Sequence, residues 1–313
     1  MTILEPIAYF RNRIVPASEA KLSVYDLGIV MGATITDMVR TYRHIPFRLD
    51  DHLVRFYESC KYARIQPCIS PDETRSITQK IVQHNIKTLK PEEDLAIVYF
   101  ITPGENPVYA GSAGGLVNTE PTFCIHTFRL PFSEWAHLLR EGAHVVTPSI
   151  RHIPPQCTDP KIKCRSRIHW WLADQEARLV DPKAIPLLLD LDGNLTETGG
   201  ANFIIVKEGT VISPTSRNIL RGVSLKNVIE LCAKLGIPFV ERDIQVHDAI
   251  NAEEALLTTT PYALAPVTKI NGIPIGNGKP GPLFRRLANA WSEQVGMDIL
   301  QQVLCCAELG TEC

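Results

Sequence analysis

Apolar runs in this chain are short: Leu95 to Ile101 is among the longest, and each is soon closed off by Pro, Gly or a charged residue. A bilayer-spanning helix needs about 20 apolar residues in a row, so no membrane span is read. A chain punctuated in this way must be assembled from short strands and amphipathic helices. With 313 residues it is long enough for one large or two medium domains. Its hydrophobic (45%) and charged (21%) fractions are those of a folded globular protein and exclude a disordered or fibrous class. The formal net charge of -2, with no Lys/Arg stripe interleaved with aromatics, argues against nucleic acid as a partner. Met1-Thr-Ile-Leu-Glu-Pro has no basic segment followed by an apolar one, so no secretory signal is read. Nine cysteines lack CxxC spacing and the histidines are dispersed, so neither a disulfide framework nor a metal site is expected. A reducing cytoplasm is the expected compartment.

Periodicity gives the order of elements. Thr34 to Tyr42 reads as a strand that turns at Arg43-His44 and returns over Ile45 to Leu49. Asp50 is placed to cap a helix whose apolar face is Leu53, Phe56, Tyr57, Cys60 and Ala63. Ser70-Pro71 opens a second helix, with Pro at the tolerated first position. Leu95 to Thr102 and Thr122 to Arg129 read as strands, separated by a Gly- and Asn-rich loop over Gly104 to Thr119. A domain junction is expected between Phe128 and Pro148, which divides the chain into residues 1–130 and 131–313. Beyond it come a helix at Ser133 to Glu141, a strand at Ala143 to Thr147 and a helix from about Lys163 to Val180. A strand at Ile185 to Leu191 and a hairpin spanning Ala201 to Ile212 follow. Next is a helix, Arg221 to Leu235, that Gly236 ends. Strands at Phe239 to Arg242, Glu254 to Thr259 and Leu264 to Ile270 precede a last helix from about Gly281 to Val295. Helices and strands alternate without a strict βαβ rhythm, which favours an α+β fold.

Three stretches carry candidate chemistry. In Glu197-Thr-Gly-Gly-Ala-Asn-Phe-Ile-Ile-Val a carboxylate opens a Gly-rich turn ahead of an apolar strand. It is either an ordinary acidic turn or a carboxylate for a cofactor nitrogen, with glycines that let the backbone approach the ring. In Ile219-Leu-Arg-Gly-Val-Ser-Leu-Lys, Gly222 and Ser224 stand at a helix start, as a plain cap or as a phosphate site. Leu256-Leu-Thr-Thr-Thr-Pro-Tyr ends a strand in hydroxyls that either fit a pleated sheet or offer donors to a phosphate, Thr260 being nearest the turn.

Together these motifs resemble the fold-type IV pyridoxal-phosphate enzymes, the class IV aminotransferase family of branched-chain and D-amino-acid enzymes. The resemblance runs through Arg242-Asp-Ile and Asn271-Gly-Ile-Pro-Ile-Gly, and includes the opening Tyr25-Asp-Leu-Gly-Ile-Val-Met-Gly and Leu49-Asp-Asp-His-Leu-Val-Arg-Phe. It implies a small N-terminal α/β domain, a larger C-terminal pseudo-barrel domain, pyridoxal 5'-phosphate as cofactor and a homodimer. The family's Schiff-base lysine stands 34 positions before the ring-nitrogen glutamate, which gives Lys163 as catalytic residue against its neighbour Lys161, with Glu197 on the pyridine nitrogen. Arg55 takes the phosphate-arginine position, and the Gly222–Val223 backbone with the hydroxyls of Ser224 and Thr260 completes the phosphate cup.

The substrate end departs from the pattern. Ile168 and Ser166 replace the usual residues five and three after the lysine, and Thr36 replaces a pocket aromatic. Val108 and Ala110 stand where D-amino-acid enzymes carry an arginine and a histidine, and Tyr99-Phe-Ile-Thr lacks the arginine of branched-chain enzymes. Thr36, Arg40, Tyr99, Pro261 and Tyr262 are the candidate pocket residues. The resemblance implies amino transfer between an amino acid, first a branched-chain L-amino acid, and a 2-oxo acid such as 2-oxoglutarate. A D-amino-acid aminotransferase, an aminodeoxychorismate lyase and a non-catalytic binding protein are the alternatives.

Overall fold

The computed structural model describes residues 4–106 and 120–308, so Val108, Ala110 and most of the 104–119 stretch lie outside the described residues. The chain divides into two compact units: Met1–Leu130 with Ile162–Ser166, and Pro131–Lys161 with Arg167–Cys313.

The first unit contains β1 (Ile7–Phe10), β2 (Arg13–Pro16), α1 (Leu27–Val30), β3 (Ile35–Tyr42), β4 (Ile45–Pro46), α2 (Leu49–Ala63), α3 (Pro71–Asn85), β5 (Leu95–Thr102) and β6 (Thr122–Arg129). Its sheet is antiparallel throughout, in the order β2-β1-β6-β5-β3-β4. Strand alternation decides which face is covered. Ile35, Val39, Ile97, Tyr99, Ile101, Phe123 and Ile125 share one core with Leu53, Phe56 and Cys60 of α2 and Ile81 of α3. Each such side chain contributes about 1.5–3 kcal/mol when fully buried.

Helix α3 opens with the expected Pro71, reinforced by a reciprocal capping box between Ser70 and Glu73. Helix α2 does not begin as read: its N-cap is Arg48 in the left-handed region (φ 53°), without a side-chain cap, rather than Asp50. Asp50 and Asp51 instead occupy the first turn, where negative charge suits the helix dipole. Arg48 Nε donates to Asp51 Oδ2 at 2.6 Å and steadies the turn.

One residue on the covered face of β3 is charged. Asp37 sits between Ile35 and Val39 and is wholly buried. A carboxylate there is stable only with partners. Arg55 supplies two donors, Nε to Oδ2 and Nη2 to Oδ1, both at 2.8 Å. His52 Nδ1 lies 2.8 Å from Oδ1, and the Met38 amide donates to the same oxygen at 2.7 Å. Burial alone would raise this carboxyl, but the Arg55 guanidinium and His52 override it and hold the group well below the usual carboxylate range.

The segment expected to open a helix at Lys163 does not do so, and α5 (Ile168–Val180) begins only at Ile168. Lys163 O accepts the Thr36 amide and Thr34 O accepts the Arg165 amide, both at 2.9 Å, around an antiparallel bridge between Ile35 and Cys164. Pairing with β3 captures these residues before helix can form, and explains why 162–166 belong with the first unit.

The second unit begins with α4 (Phe132–Arg140) and β7 (Ala143–Val146) ahead of α5, and continues through β8 (Ile185–Leu189), β9 (Leu195–Thr198), β10 (Asn202–Lys207) and β11 (Thr210–Ser213). It ends with α6 (Val223–Leu235), β12 (Phe239–Glu241), α7 (Val246–Ile250), β13 (Glu254–Thr259), β14 (Ala263–Ile270), β15 (Ile273–Pro274), α8 (Pro282–Val295) and α9 (Ile299–Glu308). Its sheet runs β12-β11-β10-β13-β14-β7-β8-β9, and β9 then pairs back onto β10. Six strands, β10-β13-β14-β7-β8-β9, thus form a closed ring, with β11 and β12 continuing from the other end of β10. The ring closes at the single pair Glu197–Asn202. Glu197, expected in a turn, therefore lies in a strand, and all four residues of β9 are buried. Gly236 ends α6 as expected, in the left-handed region at φ 65°. No helix among the described residues is long and apolar enough to cross a membrane.

The depressed Asp37 carboxyl makes stability pH-dependent with a definite sign. A folded pKa below the unfolded value of about 3.9 contributes stability above that value, and the contribution is lost as pH falls below it. Asp37→Asn is expected to lower unfolding free energy by about 3–5 kcal/mol at neutral pH, because Arg55 loses its buried counter-charge. It is also expected to flatten the acid limb in urea titrations taken from pH 6 to pH 3. An acid limb as steep as that of the wild type contradicts this account.

Candidate active site

In the first unit, α2 presents a cation and positions a lysine. Arg55 is fixed by its two bonds to Asp37, with a side chain 11% exposed. One turn further along, Ser59 Oγ–H donates to Arg55 O at 2.8 Å, and the Lys163 amide donates to Ser59 Oγ at 3.3 Å. Arg55 and the Lys163 backbone are thus referred to one helix. Burial pushes His52 down; Asp37 pulls the other way, while Arg55 and Lys163 push it further down. A neutral imidazole beside an ionised Asp37 must carry its proton on Nδ1. Lys161, the competing lysine, is paired with Asp159 at 3.0 Å.

Thr36 lies beside Lys163: its amide donates to Lys163 O, and its hydroxyl donates to Tyr99 O at 2.8 Å. The other two pocket candidates of this unit are buried. Arg40 is 1% exposed, 3.8 Å above the Tyr42 ring, with Nε donating to Thr41 O. Tyr99 is 0% exposed and meets Thr78 Oγ at 2.9 Å, and burial pushes its phenol up.

In the second unit, Glu197 is buried and held from two directions. The Leu220 amide donates to Oε1 at 3.0 Å and Asn202 Nδ2 donates to Oε2 at 3.1 Å. Asn202 Nδ2 also reaches Leu220 O at 2.9 Å, so β9, β10 and the segment before α6 are tied at one point. His152 Nε2 lies 3.5 Å from Glu197 Oε1. Its ring is 5.8 Å from Trp170 and 6.3 Å from His169. Burial, with His152 and Arg167 nearby, pushes His169 down to about 4, so its ring is neutral at physiological pH.

Gly222 caps α6 with no side chain of its own, and a Cβ there would come within 2.1 Å of Asn202 Oδ1. Only glycine lets the α6 N-terminus approach the Glu197–Asn202 pair. The first-turn amides at Val223 and Ser224 have no intrahelical acceptor and lie at the positive end of a 13-residue helix, which suits an anion. Thr260 and Pro261 are half-buried in the turn between β13 and β14, while Tyr262 rests 5.6 Å from Trp135. Thr259 Oγ–H donates to Gly200 O, joining this turn to the glycines after Glu197.

These residues fit pyridoxal 5'-phosphate in kind. The first unit holds an amine and an arginine suited to a phosphate; the second, by itself, holds a buried carboxylate suited to a ring N–H, a glycine where a Cβ does not fit, and a free helix N-terminus suited to an anion. Asp37, His52, Asn202 and His152 were missed from sequence. Asp37 left a signal, a charge between two core-facing positions of a strand. Asn202 left one only in retrospect, five residues after Glu197.

The profile of the amino-transferase class IV family matches residues 34–270. The D-alanine aminotransferase of Bacillus licheniformis is 26% identical over 288 residues, 91% of this chain and 96% of that protein. Branched-chain-amino-acid aminotransferase-like protein 1 of Arabidopsis thaliana is 28% identical over 292 residues, 92% of this chain and 50% of that longer protein. The T.th. branched-chain amino acid aminotransferase, solved in complex with N-(5'-phosphopyridoxyl)-L-glutamate, has the same fold. It superposes with a TM-score of 0.83 at 26% identity, over 94% of this chain and 95% of that one. The matched span holds Arg55, Lys163, Glu197, Gly222 and Thr260, and the chain belongs to the class IV amino-transferase family.

Proposed function

We propose that this aminotransferase moves an amino group between a branched-chain L-amino acid and a 2-oxo acid such as 2-oxoglutarate, with pyridoxal 5'-phosphate bound at Lys163. The observation that carries the reading is the placement of Lys163 beside the Ile35–Cys164 bridge, its amide held by Ser59 of the helix that presents Arg55. The T.th. enzyme with its phosphopyridoxyl-glutamate supports both the cofactor and glutamate as the partner amino acid. The working form in this reading is a homodimer, as the resemblance implies, in a reducing cytoplasm, as nine cysteines without CxxC spacing suggest. A D-amino acid as donor is the second reading, favoured by the D-alanine aminotransferase of Bacillus licheniformis.

The bound cofactor supplies an aldehyde carbon and a ring that spreads the charge left when the substrate Cα loses a proton. Lys163 Nζ holds the cofactor and is the base that removes that Cα proton. Glu197 receives the ring N–H, and its two fixed donors, Leu220 N and Asn202 Nδ2, stop it from turning away. Arg55, oriented by Asp37, and the α6 amides at Val223 and Ser224 take the phosphate, with the hydroxyls of Ser224 and Thr260. Thr36, Arg40, Tyr99, Pro261 and Tyr262 are the substrate contacts of this reading, Arg40 and Tyr99 from buried positions.

Lys163→Ala is expected to lower kcat by at least about 1,000-fold, since it removes the holding amine and the base together. Full turnover in that variant rules out the assignment. Glu197→Gln keeps a hydrogen-bond acceptor and loses the charge, which is expected to cost about 10- to 100-fold in kcat. A panel of L- and D-amino acids assayed with 2-oxoglutarate and with pyruvate identifies the donor. Turnover of D-alanine with none of L-leucine, L-isoleucine or L-valine selects the second reading. Release of pyruvate from a donor with no acceptor present selects the lyase.

A further inference from the structure

We propose that Arg165 grips the α-carboxylate shared by the amino-acid and 2-oxo-acid substrates; this rests on the aminotransferase reading above. The bridge at Cys164 carries it first. Cys164 packs against the core cluster of the first unit, together with its bridge partner Ile35. Lys163 and Arg165 flank that single bridge: Lys163 O accepts the Thr36 amide and the Arg165 amide donates to Thr34 O. Only Cys164 separates them, so their Cα atoms are at most about 7 Å apart. In an α-amino acid the amino and carboxylate groups share one carbon, and a cation two residues from the amine suits that pairing.

The guanidinium is positioned. Arg165 Nε donates to Thr36 Oγ at 3.2 Å, and the group lies 5.4 Å from the centre of the Phe100 ring. Phe100 is directly across from Thr36 on β5, and Cys124 directly across from Phe100 on β6. These three form a floor of one hydroxyl and two apolar side chains. Cys124 belongs to a small apolar cluster with Phe10 and Val15, against which Phe100 packs. His126, two residues along β6, is kept neutral by burial and by Arg165 itself. The arginine is nonetheless exposed, while Arg167, two residues on, donates Nη1 to the backbone of Gly199 at 2.9 Å. Low-dielectric surroundings beneath an exposed guanidinium strengthen its pairing with a carboxylate, and the fork offers two parallel bonds.

Calorimetric titration of the holoenzyme with 4-methylvalerate and with its uncharged amide tests this. Arg165→Ala is expected to weaken the acid about 10- to 100-fold and to leave the Kd of the amide unchanged. Arg165→Lys, which keeps the charge without the fork, is expected to fall between. In turnover the same variants are expected to raise KM for the amino acid by more than they lower kcat. Equal weakening of acid and amide, or an unchanged Kd for the acid with amino transfer intact, overturns the role of Arg165 alone. A wild-type holoenzyme that transfers no amino group from any donor overturns the aminotransferase reading and this one with it.

Discussion

The Glu197–Asn202 pair is the point on which the second unit turns. It is where the six-stranded ring closes, and closure removes the unpaired strand edges that an open sheet would expose. Both side chains are buried, so both must be satisfied there or not at all. They satisfy one another and share Leu220, through its amide and its carbonyl. The residue proposed to read a cofactor nitrogen is therefore also a structural closure, and its carboxylate is held still by the fold. That coupling explains Gly222: the helix N-terminus comes so close to Asn202 that no Cβ fits. A preorganised acceptor gains because it does not reorganise when charge appears.

The first unit uses the same device in a different chemistry. Asp37 is a charge at a position where alternation calls for an apolar side chain, and it costs stability unless paired. Its pairing with Arg55 and His52 binds β3 to α2, and α2 in turn holds Ser59 against the Lys163 amide. More than one ion pair therefore depends on Asp37. The backbone position of Lys163 and the direction of Arg55 both descend from it.

Much of the fold was legible in the sequence, since β3, β5, β6, α3, α6 and β13 are long or strongly capped and their patterns are local. What failed was non-local. Residues 163–166 look like the start of a helix, yet backbone pairing with Thr34 and Thr36 holds them in a bridge to β3 instead. No local window of the sequence contains that partner, which lies in a distant part of the chain. Glu197 looks like a turn residue because glycines follow it, and only ring closure turns it into a strand. The burial of Arg40 and Tyr99 is likewise non-local, since Asp94 and Thr78, which draw them inward, lie on other segments.

The difference between the two ends of the chemistry follows from what holds each one. Residues that hold a cofactor of fixed shape rely on backbone amides, glycines and buried charges, and packing constrains all of these. A short motif such as Ile219-Leu-Arg-Gly-Val-Ser can therefore be recognised by its order alone. A substrate carboxylate makes fewer demands: one cation, within reach of the amine and backed by apolar surface, is enough. Such a cation can come from any strand that faces the lysine, so its position is free to move while the cofactor's holders stay fixed. Arg165 meets those conditions two residues from the lysine, where Thr36 in place of an aromatic supplies the hydroxyl that orients it. The departures at Thr36 and in Tyr99-Phe-Ile-Thr then belong to one rearrangement. A small polar residue replaces a ring so that an arginine from the segment bridged to β3 can lie over Phe100.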